Sequence, residues 1–149
     1  MHAPAPTTLE ALGKPQTDNG DASFRSTLDG AHLDVGGKLY PSGFQVNFLG
    51  IANYVWQLHA RYTSLSAEIG MDERYLGKGG VRVYVQDSTN TEIPFTYRGK
   101  LVFSAVIPTA GLISLTVNLA HESEVRLEFG GGVPRLGEGV VDVVNDRLS

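Results

Sequence analysis

The sequence contains one tryptophan, Trp56, and its type alone suggests a chemistry. An indole face packs against the C–H bonds of a sugar ring while polar neighbours bond the hydroxyls. The same residue sits between Val55 and Gln57 in an alternating run, which equally suits a core aromatic. Tyr54, Tyr62, Tyr75, Tyr84 and Tyr97 have similar chemistry, and the sequence does not rank them. Asp72 follows Gly70-Met71 and stands beside Glu73 and Arg74. It reads as a turn-capping carboxylate, as a partner for a sugar hydroxyl, or as one calcium ligand assisted by nearby carbonyls. Calcium takes about six to eight oxygens, a number no single residue identifies.

The four histidines, His2, His32, His59 and His121, lie far apart, without HxH or HExxH spacing. A copper or zinc site would have to be assembled by folding. A histidine brace would need His2 to be the N-terminal residue, and Met1 precedes it. Glu68, Asp72, Asp87, Glu92, Glu122 and Asp142 offer many carboxylate pairs, none in the context of a glycosidase acid and base. Ser66 and Ser104 lack a nucleophile-elbow pattern. Gly77-Lys78-Gly79-Gly80 lacks the phosphate-loop order and precedes a strand pattern, so it reads as a hairpin loop.

These residues must be held by strands. Val81, Val83 and Val85 alternate with Arg82, Tyr84 and Gln86; Leu115, Val117 and Leu119 alternate with Ser114, Thr116 and Asn118. Val125, Leu127 and Phe129 alternate with Glu124, Arg126 and Glu128. A period of two puts one set on each face of a sheet. Tyr54–Leu58 and Leu65–Ile69 repeat the pattern, and Gly43–Phe48 and Gly139–Val144 complete the set. Leu101–Ile107 is more continuously apolar, as in a central strand. Turn signals such as Gly36-Gly37-Lys38, Arg98-Gly99-Lys100 and Gly130-Gly131-Gly132 separate the runs. Eight or nine short strands with almost no helix indicate an all-β sandwich. Residues 1–30 are weakly patterned and read as a flexible or weakly structured leader, with the sandwich over 31–149.

Composition excludes several classes. No cysteine means no disulfide, thiol nucleophile or cysteine-ligated metal. A net charge of −4 with scattered Lys and Arg argues against a nucleic-acid clamp or basic membrane binder. Hydrophobic content of 42% is too high for a disordered chain, and no apolar run spans a membrane. A length near 150 fits one domain that buries roughly two-thirds of its unfolded surface.

The order of segments is more specific. Leu33-Asp34-Val35-Gly36-Gly37-Lys38-Leu39-Tyr40-Pro41-Ser42-Gly43-Phe44-Gln45-Val46 is followed by Val55-Trp56-Gln57-Leu58-His59-Ala60-Arg61-Tyr62. Then come Leu65-Ser66-Ala67-Glu68-Ile69-Gly70-Met71-Asp72, Gly80–Val85, Ile113–Val117 and a closing Val141-Asp142-Val143-Val144-Asn145-Asp146-Arg147-Leu148. This order resembles the NPCBM family of carbohydrate-binding modules, related to family 51 modules, from Leu33 to Leu148. The resemblance implies a jelly-roll sandwich of the galactose-binding-like type, in a secreted or cell-envelope bacterial protein. Two positions depart from the family pattern. Its usual His falls at Asn47, and the Trp of its closing Asp-Trp pair falls near Val143, although Asp142 is kept. That Trp is a natural stacking surface, so its loss weakens the transfer of sugar binding more than that of the fold.

The resemblance implies a non-catalytic module with Trp56, His59, Asp72, Tyr75 and Asn47 as sugar contacts at the loop rim, and calcium as an optional cofactor. The rival expectations are an assembly module of the same fold, docking onto an envelope complex or self-associating through an open edge strand, and a His-based copper protein.

Overall fold

A computed structural model describes residues 5–17, 23–73, 79–86, 99–131 and 138–149, with all their side chains but those at 86, 131 and 138. Alternating apolar residues build two antiparallel five-stranded sheets. Their strands are β1 (Gln16–Thr17), β2 (Ser23–Ser26), β5 (Gly43–Leu49), β6 (Ile51–Gln57), β7 (Ser64–Met71), β8 (Gly79–Gln86), β9 (Lys100–Ile107), β10 (Leu112–Asn118), β11 (Glu124–Gly131) and β12 (Glu138–Leu148). One sheet runs β1-β6-β11-β8-β9 and the other β10-β7-β12-β5-β2. A separate hairpin pairs β3 (Leu33–Val35) with β4 (Lys38–Tyr40). Among the described residues, helix is confined to the 3-10 turns Glu10–Leu12 and Thr27–Asp29. None is long and apolar enough to cross a membrane.

The core lies between the sheets. Phe44, Val46 and Phe48 of β5 face Trp56 and Tyr54 of β6, with Ile69, Val83, Leu127 and Val143 fully buried among them. The expected alternations of β8, β10 and β11 all point their apolar members inward. Tyr54 is wholly buried, and its hydroxyl donates to the Ser23 carbonyl at 3.1 Å.

Two expectations are corrected. Leu101–Ile107 forms β9, but as an outermost strand that among the described residues pairs only with β8, and Val106 is 76% exposed. Its apolar content reflects Val102 and Phe103 packing against the core, not burial on both faces. The segment expected to be a loose leader also takes part in the sandwich. Thr7 bridges Leu148, β1 and β2 extend the two sheets, and Leu9 is fully buried in the core. Single apolar residues such as Leu9 carry no period, so the pattern gave no sign of them.

The β3–β4 hairpin is the element that positions the site. Gly36 and Gly37 adopt φ of 62° and 81°, the left-handed pair that a tight two-residue hairpin requires. Leu33 and Val35 are buried on the outer face of the second sheet, away from the main core. A Cβ at Gly70 would lie 2.8 Å from Val35 Cγ1, so a bare backbone at 70 lets the hairpin seat. The Glu73 amide donates to the Asp34 carbonyl at 2.8 Å and ties the hairpin to the chain leaving β7.

Candidate functional site

Register places the site. Arg25 of β2 pairs with Gln45 of β5, Gln45 with Asp142 of β12, and Asp142 with Gly70 of β7. Residues directly opposite across a ladder share a face. That face is the outer one, since Phe44, Val46, Val141 and Val143 point inward. The hairpin covers part of it, so Asp142 is 0% exposed although it projects from the core.

The Gln45 side-chain amide spans two carboxylates. Its Nε2 donates to Asp142 Oδ1 and to Asp72 Oδ2, each at 2.8 Å. Asp72 is buried, and its amide donates to the Val140 carbonyl at 3.0 Å, which fixes the chain as it leaves β7. Buried carboxylates are tolerated only with such partners.

Above this cluster opens a cavity of about 450 Å3, lined by Arg25, His32, Asp34, Gln45, Asp72 and Glu73, with Gly30, Ala31 and Leu39 as its apolar wall. Asp34 comes from the hairpin, and its buried Oδ1 has no hydrogen-bond partner among the described residues. The lining combines carboxylate acceptors, guanidinium and imidazole donors, and a small aliphatic surface in which Leu39 is 62% exposed. That set suits a small polyhydroxy ligand presenting hydroxyls and one apolar face.

The sequence-derived candidates are scattered. Asp72 lies in the cavity. Trp56 does not: it is 2% exposed, with its ring 5.3 Å from Phe44 and 5.9 Å from Phe24 between centroids, so no indole face is open to a sugar. Its reading as a core aromatic is the one the packing supports. His59 is exposed in the turn between β6 and β7, at the end of β7 opposite to Asp72. Asn47 shares the outer face with Gln45 and is half-buried, but does not line the cavity. Tyr75 lies outside the described residues. Arg25, His32, Asp34, Gln45 and Glu73 are the lining residues that sequence reasoning missed as ligand contacts. A polar residue alternating along a strand reads as solvent-facing, and only the covering hairpin makes Gln45 and Asp34 otherwise.

His32, His59 and His121 do not converge: His121 Nδ1 lies 3.3 Å from the Ala60 carbonyl, near His59, while His32 is in the cavity. Among the described residues, no group of three or more His, Asp or Glu stands close enough to hold a metal ion. His2 lies outside the described residues.

Elsewhere on the outer surface, a buried carboxyl pair holds the N-terminal segment. Glu10 and Asp146 are 6% and 3% exposed, and the Leu9 amide donates to Asp146 Oδ2 at 2.8 Å. Burial, then the hydrogen bond and negative charge of Glu10, push the Asp146 carboxyl up to about 8.

Comparison with known proteins gives a consistent picture. The NPCBM/NEW2 domain family matches residues 7–132. No curated protein matches the sequence. A CBM51 module of Clostridium perfringens GH95, solved in complex with methyl-galactose, superposes with TM-score 0.70 at 15% identity, covering 97% of this chain and 100% of that one. The CBM51-2 and INT domains of Clostridium perfringens ZmpB, solved with GlcNAc bound to CBM51-2, give TM-score 0.71 at 15% identity over 97% of this chain. This chain spans 31% of that structure. The K3 cleaved adhesin domain of Lys-gingipain from Porphyromonas gingivalis gives TM-score 0.57 at 9% identity, covering 97% of each chain. At these identities the likenesses show the fold, a galactose-binding-like β-sandwich.

Proposed function

This chain belongs to the NPCBM/NEW2 domain family, and on that premise we propose that it is a non-catalytic carbohydrate-binding module. Its sugar occupies the cavity between the β3–β4 hairpin and the outer face of the second sheet. The observation that carries the reading is the buried Asp72–Gln45–Asp142 cluster beneath an open, mixed donor–acceptor cavity. Asp34 and Asp72 accept sugar hydroxyls, Arg25 and His32 donate, and Leu39 with Ala31 meets the C–H face. Aliphatic wall replaces aromatic platform here, because Trp56 is in the core. The two clostridial modules with bound sugars support the choice of ligand class. The same bacterial comparisons support a place outside the cytoplasm.

Titration of the full chain with methyl-galactose and GlcNAc, followed by NMR, tests the proposal. Saturable shifts at residues around Asp34 and Asp72, lost in Asp34→Ala with an unchanged melting temperature, are expected. Shifts confined to His59 and its turn would move the site to the opposite end of the sandwich. An assembly role on the same fold is favoured by Leu101 and Val106, 49% and 76% exposed on the outermost strand β9. It predicts self-association in sedimentation experiments that Val106→Lys abolishes.

A further inference from the structure

A second cleft adjoins the first. It has a volume of about 520 Å3 and is lined by Glu10, Lys14, Phe24, Arg25, Leu28 and Asp29, among others. Arg25 lines both cavities, and the stretch from Ser26 to His32, including the 3-10 turn, contributes to both walls. The charges of the two cavities differ. The first is rich in carboxylates: Asp34, Asp72 and Glu73 against Arg25. In the second, one of the two acids is withdrawn, because Glu10 is only 6% exposed. Asp29 is exposed and keeps its charge while its Oδ2 accepts from Ser26 Oγ at 3.4 Å. Lys14 and Arg25 form no ion pair among the described residues. The charges open to a ligand in this cleft are therefore Lys14, Arg25 and Asp29, one positive charge in excess. Leu28, 69% exposed, adds an apolar surface beside it.

We propose that the two clefts form one groove for an acidic glycan, with a neutral sugar in the Asp72 cavity and the carboxylate or sulfate of the adjoining unit held by Lys14 and Arg25. The inference rests on the sugar-binding reading of the first cavity. A guanidinium offers paired donors to a carboxylate or sulfate, and Lys14 adds a point charge. The anion must be attached to the sugar next to the one held by Asp34 and Asp72, because Arg25 stands between the two cavities. A free anion lacks the first set of contacts, and a neutral sugar lacks the second.

Calorimetric titration of the full chain tests this with methyl-galactose, lactose, 3′-sialyllactose and 3′-sulfolactose. The acidic probes should bind roughly three- to ten-fold more tightly than lactose at low salt, the range for partly exposed charge pairs. The advantage should vanish at about 1 M NaCl, where the Debye length falls to about 3 Å. Lys14→Gln should lower the acidic affinity toward that of lactose and leave lactose itself unchanged. The tighter of the two acidic probes identifies the anion. Equal binding of lactose and both acidic probes overturns the inference and leaves the sugar cavity standing. Failure of every probe, methyl-galactose included, overturns both. An acidic advantage that persists in Lys14→Gln and at high salt also overturns it, since the preference would then arise elsewhere.

Discussion

The Glu10–Asp146 pair makes the fold's stability depend on pH with a definite sign. Asp146 titrates at its ordinary value of 3.8 when unfolded and near 8 when folded. Between those values the folded chain binds one proton more than the unfolded chain. Its contribution is therefore complete below about pH 4 and is lost as pH rises toward 8. One proton of difference is worth about 1.4 kcal/mol per pH unit. From pH 5 to pH 8 the loss comes to about 4 kcal/mol, a large share of the roughly 5–15 kcal/mol that holds a domain together. For a chain of this length it corresponds to a fall in Tm of roughly 8–16 °C. Asp146→Asn is the informative perturbation. Its Oδ1 can still accept from the Leu9 amide, and its Nδ2 can donate to Glu10, so it reproduces the protonated arrangement without a titration. Thermal melts of both proteins across pH 5–9 should show a sloping wild type and a flatter variant. The variant should be the more stable of the two above pH 8. Taking the difference cancels the other titrating groups. Glu10→Ala should keep part of the slope, because burial is the largest single cause of the shift. A wild-type minus variant difference that is the same at pH 5 and pH 8 would refute the reasoning.

Trp56→Ala should destabilise the chain by about 3–5 kcal/mol, whereas Trp56→Phe should cost much less, since the buried indole N–H has no partner among the described residues. Chemical denaturation separates the two, and equal losses would count against the packing argument. Gly70→Val should cost about 1–3 kcal/mol and weaken sugar binding together, because its Cβ would press on the Gly111 carbonyl and on Val35 of the hairpin. Normal binding in a folded Gly70→Val protein would show that the hairpin does not shape the cavity. Ala60 stands at φ 55°, so Ala60→Gly should stabilise by about 1 kcal/mol in the same assay. Gln45→Leu leaves two buried carboxylates without its donor and should destabilise by about 3–5 kcal/mol. A raised Tm in Gln45→Leu at neutral pH would mean that the carboxylates do not need it.

The fold was legible because its signal is additive. Each of β8, β10 and β11 carries three or more apolar residues at period two, and each such run points inward. The short strands were not, because β1 to β4 have two to four residues and too little pattern to register. The site was legible only at Asp72, where a polar residue ends an apolar strand. Gln45 and Asp142 alternate with apolar neighbours as any solvent-facing residue does. What removes them from solvent is an eight-residue hairpin folded back onto their face, a tertiary event with no local signature beyond Gly36-Gly37. Trp56 carried two readings for the converse reason: a large aromatic has the same composition signal whether it packs a core or a ligand.

The same geometry bears on whether a sugar site survives the two departures from the family pattern. Position 143, where a stacking tryptophan was expected, points into the core between Phe44 and Ile69 in the ladder and is wholly buried. A side chain there cannot reach the cavity, so valine in place of tryptophan changes core packing rather than ligand contact. Asn47 shares the cavity's face but stands one alternation beyond Gln45, outside the lining. The residues that do form the cavity come from β2, the β2–β3 connection, the hairpin, β5 and the end of β7. Its polar floor depends on Gln45 bridging Asp72 and Asp142, two residues 70 positions apart. An unliganded structural role would not call for that arrangement: an apolar replacement at all three positions would pack at least as well as a buried polar cluster. Carboxylates held rigid beneath an open cavity are costly to stability and useful to recognition, and the simultaneous change Asp72→Leu, Gln45→Leu and Asp142→Leu distinguishes the two. It should leave the chain folded, with stability equal to or above that of the wild type, and abolish sugar binding. A well-folded triple variant that binds sugar unchanged would place recognition elsewhere on the sandwich.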